Sequence, residues 1–524
     1  MREQSRIIVI TATFLPPTNP VANPQIPIVI EPTPQITIPP VPIVTIVLSP
    51  IPQQIASNPT PNAPRPPVDV PSQHTVQAGD TLSAIASRYN VSLDSILQAN
   101  ELANPNILTV GQVIDLPNAP SVYTPNFKVI PDSRLIRAPG SRNFDIAQFI
   151  AQQPGYIRAA TDSVNTNLDN GAGLEQQLNA AQIVERVALE YSVDPRLLLM
   201  LLEFRAGWLS NRQPREDLLT HPLISEEQSA SIDRSGLYRQ LSWAANELNR
   251  GYYGWKYRGN VSLQFGDGLR ALYNPELNPG TIAVQYFLSL TETAYTQWQS
   301  EVDFGGFYTT YFRYFGDPFQ GAVEPLIPAS IQQPELSLPF ESDVEWRLTG
   351  GPHGGWNTGS AWASIDFAPS GERPEGVFCY IAEEWITAVA SGVIARRGGG
   401  IVILDLDGDG DESTGWTINY LHLSDTEALT LGSRVNTGDR LGRPSCAGGF
   451  SNAAHLHLSR RFNGEWMPAD CQACLPSLTI PPFTMSGWQV IGIAGQEYQG
   501  FMQNGSDQIQ AEQGRETTIN RISG

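Results

Sequence analysis

Ser451-Asn-Ala-Ala-His455-Leu-His457-Leu458 is the stretch on which the reading of this chain turns. In a strand, successive side chains alternate between faces, so the two-residue spacing of His455 and His457 predicts two imidazoles on one face. Their backbones would lie about 6 to 7 Å apart, close enough to serve one metal-bound water. The chain has six histidines, and four of them, His353, His422, His455 and His457, fall in the last 175 residues amid β-type sequence. The same alternation predicts Tyr420 and His422 on one face of a strand from Trp416 to Leu423. Asp366, within Ala361-Trp-Ala-Ser-Ile-Asp-Phe-Ala-Pro369, follows an apolar and small-residue run, where a strand would turn a carboxylate inward.

Five pieces in order, SIDFA at 364–368, AVASGVIA at 388–395, YLHL at 420–423, GSRVNTGDRLG at 432–442 and AHLHL at 454–458, resemble the lysostaphin-type (LytM-like) zinc metallopeptidases over about 110 residues. Members of that family cut peptide bonds in bacterial cell-wall cross-links. The resemblance implies an antiparallel β-rich domain in which Asp366 and His457 bind zinc while His422 and His455 position the attacking water and stabilise the oxyanion. The family's first ligand is a histidine four residues before the aspartate, and here that position is Trp362. His353, in the glycine-rich Gly350-Gly-Pro-His-Gly-Gly-Trp-Asn-Thr-Gly359 loop, is the remaining histidine nearby, and its glycine neighbours would let the backbone bring it back as third ligand. The alternative is a solvated loop histidine.

Between these strands lies Asp405-Leu-Asp-Gly-Asp-Gly-Asp-Glu-Ser-Thr-Gly415. Asp405, Asp407 and Asp409 with Gly410 match the first half of a calcium-binding EF-hand loop, but the twelfth position is Trp416 rather than the bidentate glutamate. Calcium is one reading and a solvated acidic turn the other. Cys379, Cys446, Cys471 and Cys474 all fall in the last third, which fits one or two disulfides made outside the cytosol. Cys471 and Cys474 form a C-x-x-C pair that would also suit zinc. Cys379 and Cys446 form no second such pair, so disulfides are favoured.

Upstream, His74 to Pro117 reads as two short helices between short strands, with Thr81 and Ser83 available as caps. GDTLSAIASRYNVS at 79–92, Asn100 and GQVIDLP at 111–117 resemble the LysM family, a small βααβ module that binds N-acetylglucosamine-containing glycans such as peptidoglycan or chitin. The resemblance implies one groove wall from Gly79, Asp80, Thr81 and Leu82 and another from Asn106 and Ile107. The same residues also suit capping and turn roles. His74 stands where an aromatic tyrosine is usual and reads as a strand-start residue.

Residues 143–325 show helical periodicity and predict an all-α domain. VALEYSVDPRLLLMLLEFRAGW at 187–208 and YNPELNPGTIAVQYFL at 273–288 resemble lysozyme-like lytic transglycosylases. The family's catalytic acid would stand at Arg205, and Glu203 lies about 200° away around the helix, so this domain is expected to be noncatalytic. Proline makes up 18 of the first 73 residues and predicts a semi-rigid extended spacer. A second linker is expected over 118–142 and a boundary near 327–339.

The fold class is therefore multidomain α+β: spacer 1–73, LysM 74–117, linker 118–142, helical domain 143–325, metallopeptidase 340–480 and C-terminal extension 481–524. Its 524 residues suit about three domains. A formal charge of −20, from 32 basic and 52 acidic residues, gives no electrostatic source for a grip on nucleic acid. The apolar stretch Ile7 to Leu15 falls far short of the roughly 20 residues that span a bilayer, and reads as a signal remnant at most. The expected function is LysM-anchored zinc endopeptidase action on peptidoglycan outside the cell or in its envelope. The alternative is a noncatalytic peptidoglycan-binding protein or activator with a degenerate peptidase fold.

Overall fold

The computed structural model describes residues 73–524, apart from 78–79, 90, 92, 101, 103, 106, 117–120, 230–231, 267–268, 293, 427–428, 472–473, 475–477, 515–517 and 524. The proline-rich stretch before Gln73, and Gly79 and Asn106 of the expected glycan groove, lie outside the described residues. Among the described residues no helix is long and apolar enough to cross a membrane.

Strands Gln73–Thr75 and Val113–Asp115 pair antiparallel and flank helices Leu82–Tyr89 and Leu93–Ala99. Ile85, Ile96 and Ile114 form the centre of this small core. Leu82 is only 4% exposed and belongs to it, so its side chain supports the groove wall from behind instead of lining it. Thr81 caps the first helix by accepting the N–H of Ala84. His74 is buried, with Nε2 at 2.7 Å from Asp80 and Nδ1 at 3.0 Å from the Tyr89 hydroxyl. Asp80 thus acts as an internal brace.

The following region is mainly helical but not all-α. Strands Thr161–Asn167 and Gly173–Asn179 form a two-stranded hairpin, and Ser121–Tyr123, Arg270–Leu272 and Ser262–Gln264 form a three-stranded sheet. The described part of the expected 118–142 linker, residues 121–142, is no free linker either: Val129, Ile130, Leu135, Ile136 and Ala138 are buried in the helical core. At its centre lies Pro195–Ala206, a helix fixed at both ends by local chemistry. Asp194 accepts the N–H of Arg196 at 2.8 Å, Pro195 fits the first turn, where its missing N–H costs nothing, and Gly207 ends the helix at φ 64. Its leucines 197, 198, 199, 201 and 202 are all fully buried, as expected of a helix apolar all round.

The C-terminal half is built on a nine-stranded antiparallel sheet. Its strands Ile401–Asp405, Trp416–Leu421, Leu456–Phe462, Ser364–Pro369 and Trp346–His353 lie side by side in that order. A second, four-stranded sheet spans Thr484–Met485 to Asp507–Gln510, and Arg521–Ile522 returns to pair with Trp346–His353. The C-terminal extension is thus woven into the fold around the site.

The helical and β regions share a buried face. Glu465, fully buried beyond the Leu456–Phe462 strand, accepts from Lys256 Nζ at 2.6 Å, the Tyr257 hydroxyl at 2.5 Å and the Tyr252 hydroxyl at 3.1 Å. Trp466 packs into the helical core, and its indole N–H donates to the Tyr191 carbonyl.

The acidic turn is a second ionic junction. Ligand atoms of Asp405, Asp407 and Asp409 fall within 4.8 Å of one another, but these carboxylates already accept backbone N–H groups of Asp407, Gly410, Asp409 and Asp411. Burial, followed by the hydrogen bond to Asp405 and the charge of Asp405, raises the Asp407 pKa to about 6. No helices flank the loop, Trp416 starts a strand, and the calcium reading gains no support. The decisive residue of the turn is Glu412, which is buried and holds Arg396 at 3.0 Å and Arg461 at 2.7 Å, with Arg137 of the helical region at 3.8 Å. Burial alone would raise its pKa, but the three guanidiniums outweigh that and lower it to about 2. A depressed carboxylate stabilises the fold above its unfolded pKa, near 4.5, and that stabilisation is lost as pH falls toward 2. Melting temperature is therefore expected to drop steeply over that window in the parent protein. Glu412→Gln should be less stable at neutral pH by a few kcal/mol and should lose most of this acid slope.

Candidate metal centre

Asp366 and His457 face each other across two central strands, as direct partners in the pairing of Ser364–Pro369 with Leu456–Phe462. On its other side Asp366 is opposite Gly350, where an added Cβ would come within 2.7 Å of the carboxylate. Glycine there leaves room for the side chain to lie across the strand. His353 is the last residue of Trp346–His353 and pairs with Ser364, after register shifts on either side of Gly350. The expected flexible loop position is thus a strand end, and the bulged register is what carries His353 to the centre.

Three donor atoms converge. His353 Nε2 lies 3.0 Å from His457 Nδ1 and 3.2 Å from Asp366 Oδ1, and His457 Nδ1 lies 3.1 Å from the same oxygen. A tetrahedral zinc at about 2.0 to 2.1 Å from each ligand needs ligand atoms about 3.3 Å apart, so this triangle is close to the required size.

The backbone sets which nitrogens are bare. His353 Nδ1 donates to the Gly351 carbonyl at 2.8 Å and His457 Nε2 to the Gly355 carbonyl at 3.1 Å. His422 Nδ1 donates to Ala447 at 2.9 Å and His455 Nδ1 to Ala453 at 2.8 Å. A carbonyl can only accept, so each of these nitrogens carries the proton and the other one offers a lone pair. Two lone pairs and a carboxylate oxygen about 3 Å apart repel one another unless a positive charge sits between them. The donor set therefore suits a divalent cation.

His422 and His455 stand beside the triangle. Their ring centroids are 4.5 Å apart, and His455 Nε2 is 3.7 Å from Asp366 Oδ1. The electrostatics divide the imidazoles. Burial, reinforced by His455 and His457, holds His422 well below the ordinary histidine range, and burial also lowers His457. For His353, burial opposes the charged form but Asp366 outweighs it and the pKa rises. Asp366 is held well below the usual carboxylate range, because the charges of His353 and His455 overcome the opposing effect of burial.

His422 does not follow simple alternation from Tyr420. The strand ends at Leu421, and His422 turns out of it at φ 69, while Tyr420 points into the β core. Trp362 does not occupy the ligand position. With φ 52, after Ala361 at φ 60, it lies under the guanidinium of Arg258, 3.8 Å from ring centroid to Cζ.

Sequence reasoning missed Tyr498, which stacks on His353 with ring centroids 4.3 Å apart and planes 20° apart. It comes from the C-terminal sheet, at φ 67, and a lone tyrosine in a polar strand carries no sequence signal for this role. On the opposite flank, the Thr161–Asn179 hairpin lies along residues 446–449. Asn167 and Gly448 exchange backbone hydrogen bonds of 3.3 and 2.9 Å, and Cys446 N–H donates to the Asp169 carbonyl. The Cys379–Cys446 disulfide anchors that edge, and Cys471 pairs with Cys474, so the C-x-x-C motif forms a disulfide and not a metal site.

A sequence model of the LasA N-terminal domain matches residues 128–330, and one of the LysM domain matches residues 74–117. The helical region thus resembles the LasA N-terminal domain, and its likeness to lysozyme is not confirmed. Protease LasA of Pseudomonas aeruginosa (strain UCBPP-PA14) is 26% identical over 294 residues, 53% of this chain and 65% of that protein. The chain thus spans just under two thirds of the length of this relative. The cortical fragment-lytic enzyme of Bacillus subtilis (strain 168) is 50% identical over 46 residues, 9% of this chain and 11% of that protein. Among solved structures, the M23 metalloprotease pseudoalterin is 23% identical, with a TM-score of 0.26 over 34% of this chain and 96% of that one. The chain is thus similar to the LysM domain over residues 74–117 and to the LasA N-terminal domain over residues 128–330, and it is similar to protease LasA over 294 residues.

Proposed function

We propose that this chain is a zinc-dependent endopeptidase that hydrolyses peptide bonds of peptidoglycan cross-links, outside the cell or in its envelope, while its LysM domain holds the N-acetylglucosamine-containing glycan. The observation that carries this reading is the triangle of His353, Asp366 and His457 with its bare nitrogens turned inward. Held by these three residues, zinc would supply Lewis acidity to polarise the scissile carbonyl and to acidify water.

The rest of the chemistry falls to the chain itself. His455 Nε2, bare and partly exposed, accepts the proton of the attacking water and passes it to the leaving amine. His422, buried and neutral, offers its own bare nitrogen to orient that water. Asp366 balances the positive charge that develops on the imidazoles. Burial of His353, His422 and His457 keeps the local dielectric low and strengthens each of these interactions.

Digestion of purified peptidoglycan tests the proposal. New free amino termini should appear by mass spectrometry, vanish with a chelator and be absent with His455→Ala. Cleavage that persists in His455→Ala would refute it.

The helical region has no part in glycan cleavage. Arg205 is tied to Glu301 at 2.7 Å, while Glu203 is buried and accepts the N–H groups of Leu209 and Ser210 and the Tyr314 hydroxyl. Such a carboxylate is fully engaged in ending its own helix. Reducing-end or anhydromuramyl sugars are therefore not expected among the products, and their loss in Glu203→Gln would contradict this assignment.

A further inference from the structure

Trp362 stands where the sequence leads one to expect a ligand, and its actual surroundings point elsewhere. It lines a cavity of about 210 Å³ between the first LysM helix, the end of the long helix Leu237–Arg258 and the turn at Gly492–Gln496. Two polar atoms buried around it have no hydrogen-bond partner, the Nη2 of Arg258 and the indole Nε1 of Trp362. Both are donors. Leaving a buried donor unmade costs about 1 to 3 kcal/mol, so two in one cavity mark a place where an acceptor belongs.

The backbone adds an independent sign. Ala361 and Trp362 are consecutive non-glycine residues in the left-handed region, at φ 60 and 52. Such strain persists only where the surroundings hold it, and here it holds the indole ring under the guanidinium, on the wall of the cavity. No ion pair to Arg258 occurs among the described residues. Burial lowers its pKa to about 9, and the carboxylate that acts on it most, Glu497, instead accepts the N–H of Gly354. An anion entering the cavity would offset the cost of burying that charge, while Asp470 on the same wall is engaged by the N–H of Gly492.

The LysM wall adjoins this cavity. Ser83 and Ala84 line it, and the turn at Gly495 is so close that an added Cβ would meet Ala84 at 2.7 Å and the Thr81 hydroxyl at 3.4 Å. Pro352, on the same cavity wall, directly precedes His353. A glycan lying on the LysM wall would therefore run past Arg258 on its way to the metal centre.

We propose that this cavity is a carboxylate subsite, in which Arg258 and the Trp362 N–H bind an acidic group carried on the glycan that the LysM domain holds. The site would discriminate muramic-acid-containing strands from neutral N-acetylglucosamine polymers. The inference rests on the glycan-binding role proposed above for the LysM domain. The carboxylate has two sources, the lactyl group of a muramic acid without a stem peptide, or the stem peptide itself.

The test measures affinity of the full chain, in the His455→Ala background to prevent cleavage, for three probes: chitin hexamer, peptide-free muramic-acid oligosaccharide, and the same oligosaccharide bearing stem peptides. One of the two acidic probes is expected to bind about 10- to 100-fold more tightly than chitin, and which one identifies the carboxylate. Arg258→Gln should erase that preference and leave chitin affinity unchanged, and Arg258→Lys should restore part of it. Trp362→Phe, which keeps the ring beneath the guanidinium, should lower the preference by less, and it decides the matter if Arg258→Gln does not fold. An unchanged preference in these variants, no preference in the parent, or an equal loss for all three probes would overturn the proposal. Binding of an acidic probe that depends on Arg258, without any binding of chitin, would remove the LysM role and leave the subsite standing.

Discussion

His353→Ala should strip the protein of its metal as thoroughly as His457→Ala does. Each imidazole supplies one of three converging donors, with Nε2 and Nδ1 only 3.0 Å apart. Loss of one of three ligands should weaken metal binding on the order of 10³-fold, given the total binding energy typical of such sites. Metal per chain after dialysis, read by elemental analysis, is the measurement. His455→Ala should behave differently, keeping its metal and losing turnover, because its nitrogen stands 3.7 Å from Asp366 and outside the triangle. Equal metal content in His353→Ala and the parent would return His353 to a structural role.

The second large effect lies far from the chemistry. Lys256→Met should destabilise the protein by about 3 to 5 kcal/mol, since it leaves the Glu465 carboxylate buried with hydroxyl partners only. The double variant Lys256→Met with Glu465→Leu should recover much of that loss, because a well-packed apolar pair costs no desolvation of charge. Chemical denaturation of the full chain separates the two cases. If Lys256→Met melts like the parent, the ion pair does not hold the helical and β regions together.

The chemistry-bearing strands were legible because strand alternation is local. His455 and His457 both reach Asp366 because two residues make one pleat repeat, and Asp366 is turned inward by the apolar residues around it. His353 was legible as a histidine but not as a strand residue. Its Gly-Gly-Pro neighbours read as a loop, whereas in the fold they form a bulged edge that only the pairing partner Ser364 reveals. Tyr498 lay beyond reach, since its contact with His353 joins segments 145 positions apart.

The strands within the helical region are hidden in the sequence for a related reason. The strands Thr161–Asn167 and Gly173–Asn179 are almost wholly polar, with Val164 the one buried residue, so they give no period-two hydrophobic signal. Their pairing, with each other and with residues 446–449, is made by the backbone. In the acidic turn, the regular spacing of Asp405, Asp407 and Asp409 suggested a cation, while the structural role belongs to Glu412, whose three arginine partners lie 16, 49 and 275 positions away. Charge pairing over such separations leaves no local pattern.

The central claim is that His353, Asp366 and His457 together hold a zinc ion. X-ray absorption at the zinc edge, on the full chain loaded with one equivalent of zinc, tests it most directly. The account predicts a first shell of nitrogen and oxygen at about 2.0 to 2.2 Å with the signature of two imidazoles and no sulfur, reduced to one imidazole or lost altogether in His353→Ala. A shell containing sulfur at about 2.3 Å, or a two-imidazole shell unchanged by His353→Ala, would contradict it.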